Sequence, residues 1–183
     1  GFDTGPGNSL IDDLTMKFFK KNYDENGEFA FSGKIYGHII DKLTKDLFFT
    51  LPYPKSLDRQ YFTPYLTKMF KNYDPKSLIT TLSEFTAISV SKSLNLLPKY
   101  PKKLIITGGG TKNLFIIERL KKHVKCKICQ LNSSKFHPDY VESQLIGFLA
   151  ARSANNLPYT FPSTTGVSKP TTGGVLCKPI KIH

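Results

Sequence analysis

The first residues of the chain carry the strongest candidate for chemistry. The opening sequence GFDTGPGN places Asp3 before a turn with two glycines, Gly5 and Gly7, and an amphipathic helix follows at once. The backbone N–H groups of such a turn and of the helix N-terminus can bind an anion, and Asp3 would lie beside it as a general base for phosphoryl transfer. Asp12 and Asp13 would compete for this helix end. A plain strand-to-helix turn, with Asp3 capping backbone amides, is the alternative.

A second glycine-rich turn follows a short apolar run. Leu104, Ile105 and Ile106 predict a short buried strand, after which Gly108-Gly109-Gly110 leads into a helix. Three glycines leave no side chain between the main chain and a ligand, so a flat base or sugar could lie against them. The turn lacks the G-x-x-x-x-G-K-[ST] spacing of a Walker A loop. A close approach of helix and sheet would explain it equally well.

The spacing of apolar residues predicts the elements that position these turns. It predicts helices over residues 9–21, 35–47, 64–71, 75–97 and 114–120, a helix opened by Pro138, and a half-exposed strand over residues 124–129. Residues 1–3 read as the end of a strand, residues 23–33 as a turn-rich connection and Val175-Leu176 as a last strand. The small hydroxyl residues of the longest helix indicate packing on a sheet. This alternation indicates an α/β domain.

Composition narrows the class of protein. The chain has 183 residues, of which 39% are hydrophobic, as expected for one packed domain. It shows no apolar run long enough for a membrane span, and its three cysteines favour a reducing compartment, with the cytoplasm as the default. Cys126 and Cys129 lie on opposite faces of the predicted strand, and His123 and His137 have no ligand spacing, so no metal site is predicted.

The net charge of +12 raises the question of nucleic-acid binding. Only Arg59, Arg119 and Arg152 among the 26 basic residues are arginines, the residue type that reads bases and clamps phosphates. The lysines are scattered, with pairs as their longest runs. The charge therefore favours a solvated lysine surface over a nucleic-acid site.

Motifs along nearly the whole chain resemble those of the anhydro-N-acetylmuramic acid kinases, members of the sugar kinase and actin superfamily. The motifs occur in order as GFDTGPGN with LID, YDENGEFAFSGKI, PKSLDRQYF, TTLSEFTAISV, ITGGGTKN, PDYVESQLIGFLA and FPSTTGVSKPTTGGV. The resemblance is to the C-terminal half of such kinases. It implies that residues 1–183 form a single C-terminal kinase lobe and that the N-terminal lobe, with its first phosphate-binding loop, is absent from this chain.

The resemblance implies an α/β fold of the RNase H-like (actin-like ATPase) kind, one lobe of a two-lobed sugar kinase that closes over ATP and Mg²⁺. The implied reaction hydrolytically opens 1,6-anhydro-N-acetylmuramic acid and phosphorylates O6, giving N-acetylmuramic acid 6-phosphate in cell-wall recycling. Asp3 would be the general base, and Glu142 would contact the sugar. The implied ATP-binding residues are Gly5, Gly7, Asn8, Gly108, Gly109, Gly110 and Asn113.

The sequence departs from the family pattern in three places. Leu57 and Asp58 replace a small hydroxyl residue and a glycine, and Asp58 adds negative charge where anions would bind. Residues 143–147 (SQLIG) replace Ala-x-Ala-Phe-Ala, and Lys135-Phe136 stands where a glycine is frequent. Two hypotheses follow: half of a working kinase, completed by a separate or truncated N-terminal lobe, or an inactive remnant that binds nucleotide or a partner. Homodimerisation stays open.

Overall fold

A computed structural model describes residues 1–69, 72–131 and 140–177. Its strands are β1 (Lys103–Ile106) and β2 (Lys127–Gln130), which pair in parallel with Lys103 opposite Lys127. Its α-helices are α1 (Ser9–Phe19), α2 (Glu28–Ser32), α3 (Gly37–Thr44), α4 (Thr63–Met69), α5 (Pro75–Leu94), α6 (Leu114–His123), α7 (Val141–Ala154) and α8 (Pro162–Thr165). The predicted α/β class is confirmed, with a small parallel sheet and many helices.

Helix α5 is the centre of the core. Its first turn is set by Asp74, whose side chain accepts a hydrogen bond from the Ser77 N–H, and by Pro75. Apolar side chains such as Leu82 and Phe85 are fully buried. The small residues of α5 had predicted packing on a sheet. The helix packs instead mainly on α1, α2, α3 and α6. Small side chains allow close approach to helices and loops as well as to strands.

A buried ion pair joins α5 to α6. Glu84 on α5 accepts hydrogen bonds from Arg119 and from His123 Nε2, the latter at 2.8 Å. Burial by itself would raise the pKa of Glu84, but the hydrogen bonds and positive charge of these partners hold it below its usual value. The pair therefore contributes stability only while Glu84 is ionised.

Several predicted elements differ from those observed. Residues 23–33, predicted as a turn-rich connection, include a 3₁₀ turn (Glu25–Gly27) and α2, because the Asp24 carboxylate accepts hydrogen bonds from the N–H groups of Phe29 and Ala30 at 2.8 and 3.0 Å. The prediction of a turn-rich connection missed that helix. Pro138 and His137 lie outside the described residues, and α7 begins at Val141.

Two predicted strands are not formed. In residues 1–3 the Asp3 N–H donates to the Lys55 carbonyl at 2.9 Å, but no ladder follows. Val175 and Leu176 are also non-regular and are 89% and 86% exposed. A strand needs a partner with matching register, which neither segment has among the described residues. Strand β1, predicted to be buried, is covered on one face only, and Ile105 is 57% exposed.

No helix within the described ranges combines the length and apolarity needed to cross a membrane.

Replacing Glu84 tests the ion pair. We expect Glu84→Gln to lower the free energy of unfolding by about 3 kcal/mol at pH 7, because it leaves the largely buried Arg119 without its counter-charge. Since the folded-state pKa is depressed, wild-type stability from this pair is present above pH 4.5 and is lost as the pH falls through the lower folded value. Urea unfolding of both proteins between pH 3 and 7 measures this. A pH-independent difference would contradict it.

Candidate nucleotide and sugar site

A cavity of about 350 Å³, called the first cavity, lies between α1, the 3₁₀ turn after it and the second glycine turn, residues 108–113. Its volume is in the range of small-ligand sites. Its lining comprises Asn8, Ile11, Asp12, Tyr23, Asp24, Glu25, Asn26, Gly109, Lys112 and Asn113. The structure thus brings together three residues predicted to bind ATP, which are Asn8, Gly109 and Asn113.

The first glycine turn, residues 3–8, is held against α5. The Thr86 hydroxyl donates to the Gly7 carbonyl at 2.8 Å, and Gly7 has a φ of +59°, which favours glycine. A Cβ at Gly5 would lie 2.7 Å from the Ser89 Cβ, so only glycine allows this approach. Within the described part of the chain, the N–H groups of Gly5 and Gly7 donate no hydrogen bond. They remain available for an anion at the N-terminus of α1.

The second glycine turn presents bare main chain. A Cβ at Gly108 or Gly109 would meet no protein atom within 4 Å, and Gly108 has a φ of +81°. A Cβ at Gly110 would lie 3.6 Å from the side-chain amide of Asn8. The two glycine turns therefore approach each other, and the space beside Gly109 belongs to the first cavity.

Asn113 has a structural role at this turn. Its side-chain oxygen accepts a hydrogen bond from the Ile116 N–H at 3.1 Å and so caps the N-terminus of α6. A Cβ at Gly27, which has a φ of +78°, would lie 2.7 Å from that oxygen. Asn113 is 5% exposed, so it sets the position of the turn while lining the cavity.

Asp3 lies in a different place, the second cavity, of about 440 Å³. This cavity is lined by Gly1, Phe2, Asp3, Pro54, Lys55, Ser56, Thr164 and Thr165. The exposed Asp3 carboxylate accepts a hydrogen bond from the Leu57 N–H at 2.7 Å. Asp3 therefore does bind a backbone amide, but one from the loop around Leu57 rather than from its own turn. Its second carboxylate oxygen faces no recorded donor within the described ranges.

The charged side chains of the loop around Leu57 form hydrogen bonds with backbone groups that are near in sequence. The Lys55 ammonium donates to the Phe48 carbonyl at 2.8 Å, and burial lowers its pKa. The Asp58 carboxylate accepts from the Gln60 N–H at 2.7 Å, so its negative charge is directed to its own turn. Neither Asp58 nor Gln60 lines the second cavity. The predicted effect of Asp58 on a bound anion stays a prediction.

Glu142 is not brought to Asp3. It lies exposed in the first turn of α7 and lines neither the first nor the second cavity. The apolar side chains of α7 are also exposed, with Leu145 at 52%, Ile146 at 63% and Phe148 at 58%. Part of α7 and the following chain, including Val175, border a third cavity of about 600 Å³.

The sequence did not reveal Asp12 as a cavity residue. It follows Asn8 and Ile11 on one face of α1, and that face borders the first cavity. Burial raises the pKa of Asp12 from 3.8 to about 6; Arg59 opposes this shift, while Asp13 and Asp24 add to it. Its spacing of four residues from Asn8, on the same face of α1, was the available signal. In the described ranges, no group of three or more metal-binding side chains accompanies it.

These features define an α/β protein with a candidate nucleotide site between two glycine turns. The sequence profile described as Anhydro-N-acetylmuramic acid kinase matches residues 1–179, and the chain belongs to that family of kinases. The resemblance seen in the motifs is thereby confirmed.

Three relatives named as anhydro-N-acetylmuramic acid kinases show the extent of the similarity. The chain is 37% identical to that of Bradyrhizobium diazoefficiens over 178 residues and 38% identical to that of Rhodopseudomonas palustris strain HaA2 over 179 residues. It is 33% identical to that of Hydrogenovibrio crunogenus over 184 residues. The matches cover 97%, 97% and 98% of this chain, but 48%, 48% and 50% of the relatives. The chain therefore spans about half the length of these relatives.

The raised pKa of Asp12 predicts a stability change with pH. Because the folded-state pKa is above the usual value, ionisation of Asp12 destabilises the fold as the pH rises from about 4 to above 6. We expect Asp12→Asn to be more stable than wild type by about 1–2 kcal/mol at pH 7.5, allowing for solvent screening, and equal to it near pH 4. Denaturant unfolding at both pH values measures this. Asp13→Asn, at an exposed residue paired with Arg59, is the control and should show no such gain.

Proposed function

We propose that this chain is the C-terminal lobe of a kinase that uses ATP to open 1,6-anhydro-N-acetylmuramic acid hydrolytically and to phosphorylate its O6. The product is N-acetylmuramic acid 6-phosphate, formed in peptidoglycan recycling, and the proposed compartment is the cytoplasm. The observation that carries the proposal is the first cavity, where Asn8 of the first glycine turn and Gly109 of the second meet. Membership of the kinase family supports it.

The two cavities divide the reactants between them. The nucleotide occupies the first cavity, with its phosphates at the free N–H groups of Gly5 and Gly7. The sugar occupies the second cavity, next to the exposed Asp3 carboxylate. Asp3 removes a proton from the water that attacks the anomeric carbon; the C1–O6 bond breaks, O6 takes the γ-phosphoryl group, and ADP leaves. The hydrogen bond from the Leu57 N–H keeps one Asp3 oxygen fixed while the other accepts the proton.

Magnesium is expected to accompany the nucleotide. Mg²⁺ binds through phosphates and water with one or two carboxylates, so it needs no dedicated cluster of protein ligands. The described residues fit this requirement, because the first glycine turn, proposed to hold the phosphates, carries the exposed Asp3 carboxylate, which would hold the ion through its water ligands. The ion would neutralise charge on the phosphates.

The exposed face of α7 is the proposed contact with the remaining half of the kinase. Leu145, Ile146 and Phe148 are each more than half exposed, and exposed apolar patches of this kind mark interaction surfaces. The relatives are about twice as long as this chain, so further polypeptide of the same kinase is the proposed occupant. Its docking would orient Glu142, on the same helix, toward the sugar. A second copy of the chain is the alternative, and it would appear as a homodimer in sedimentation.

The second candidate function is a domain that binds nucleotide or a partner without catalysis. The separation of Glu142 from the cavity of Asp3 favours it, as do the departures at Leu57, Asp58 and residues 143–147. It shares the first cavity with the kinase proposal, so it differs only in turnover.

Substitution of Gly109 tests nucleotide binding. We expect Gly109→Val to weaken ATP binding by at least about tenfold, because the new side chain would enter the first cavity. Folding should be retained, since a Cβ there meets no protein atom. Calorimetry with ATP and Mg²⁺ measures the affinity, and thermal unfolding checks the fold. Gly37→Val is the matched control: Gly37 also has space for a Cβ but lies outside this cavity. Equal loss in both variants would contradict the assignment.

Substitution of Asp3 tests catalysis. We expect the chain, mixed with the remaining half of the Bradyrhizobium relative, to form N-acetylmuramic acid 6-phosphate, and Asp3→Asn to lower kcat by about 10²- to 10⁴-fold through loss of the base. ATP affinity should change by less than about threefold, because Asp3 does not line the first cavity and would reach the ion only through water. Product is measured by mass spectrometry. No turnover by the wild-type mixture, with ATP binding intact, would favour the non-catalytic alternative.

A further inference from the structure

Asp12 lies in the first turn of α1, where the helix dipole favours a carboxylate. It is half-buried, and no hydrogen bond to its carboxylate exists among the described residues. The carboxylate of its neighbour Asp13 accepts a hydrogen bond from the Arg59 guanidinium at 2.9 Å. A half-buried carboxylate without a hydrogen-bonded partner costs stability. Polar groups placed at such a cost are frequently functional.

The surroundings of Asp12 indicate which chemistry would satisfy it. Asp12 lines the first cavity together with Asp24 and Glu25. Lys112 is the cation among the described lining residues, so three carboxylates against one ammonium leave this wall with net negative charge and hydrogen-bond acceptors. Phosphate oxygens are disfavoured next to such a wall. An uncharged ligand group with hydroxyl donors is favoured, because a carboxylate accepts strong hydrogen bonds from hydroxyls.

Other residues of the lining suit the rest of a nucleoside. Gly109 presents main chain without a side chain, and Tyr23 and Ile11 add aromatic and apolar surface. The acidic wall is also rigid, because Asp24 is fixed by the N–H groups of Phe29 and Ala30. A volume of about 350 Å³ accommodates a base and a sugar ring.

Resting on the proposed ATP-dependent function, we propose that the Asp12 carboxylate accepts hydrogen bonds from the ribose 2′- and 3′-hydroxyl groups of the nucleotide in the first cavity. Asp12 is then a specificity-determining residue that selects ribonucleotides over deoxyribonucleotides. The phosphates lie away from it, at the first glycine turn, where Gly5 and Gly7 have free N–H groups. A hydroxyl-bearing sugar thus separates the acidic wall from the anionic phosphates.

The test compares ATP, 2′-deoxy-ATP and 3′-deoxy-ATP with Mg²⁺ by calorimetry at pH 7.5 and constant salt, using the 183-residue chain. Wild type should bind ATP about tenfold or more tightly than at least one deoxy analogue, the change expected for one hydrogen bond to a charged group. Asp12→Asn and Asp12→Ala should weaken ATP binding to the level of that analogue and leave analogue binding unchanged. Asp13→Asn is the matched control and should keep the wild-type preference.

Each outcome decides a separate point. Equal binding of all three nucleotides by wild type would overturn this inference while leaving the proposed kinase function in place. A preference that survives in both Asp12 variants would do the same. Selectivity that depends on Asp12, in a protein that never phosphorylates the sugar when completed, would support the inference and overturn the proposed reaction. No binding of ATP to wild type would overturn both.

Discussion

The site depends on the need of a long buried helix to satisfy its polar side chains. Helix α5 buries a series of hydroxyl groups, and buried polar groups generally form hydrogen bonds, although the Ser83 hydroxyl has no partner within the described residues. Several of the others bond to loops that pass beside the helix: Thr81 accepts from the Tyr36 N–H at 3.0 Å, and Ser77 accepts from the Lys34 N–H at 3.0 Å. Each such bond both satisfies α5 and fixes a loop, so the helix acts as the frame on which the connections are placed.

The same constraint sets the distance between the two glycine turns. The first turn is attached to α5 through the Gly7 carbonyl, which accepts from Thr86. The second turn leads into α6, and α6 is attached to α5 through Arg119 and Glu84. Since both turns are attached to α5, directly or through α6, the cavity between them is formed within this chain. Half the length of the relatives is thus sufficient for a defined first cavity.

The rest of the candidate site is less closely held. Glu142 does not line the cavity that contains Asp3, and α7 exposes apolar residues such as Ile146. The strand and helix patterns that predicted α1, α5, α6 and strand β1 were correct because local spacing and caps determine them. The predictions of strands at residues 1–3 and at Val175-Leu176 were wrong. A strand exists only with a hydrogen-bonded partner, and local sequence does not specify that partner.

The sequence by itself determined the α/β class, the family, and the ends of helices whose caps are local, such as Asp74 before α5 and Asn113 before α6. Tertiary structure alone decided which loops meet. Thr86 and Gly7 are 79 residues apart in sequence, and no periodic pattern encodes their bond. The same long-range packing places Asp12, which the sequence shows only as a helix-dipole residue, in the lining of the first cavity. The solvent exposure of a side chain depends on which other segments pack against it.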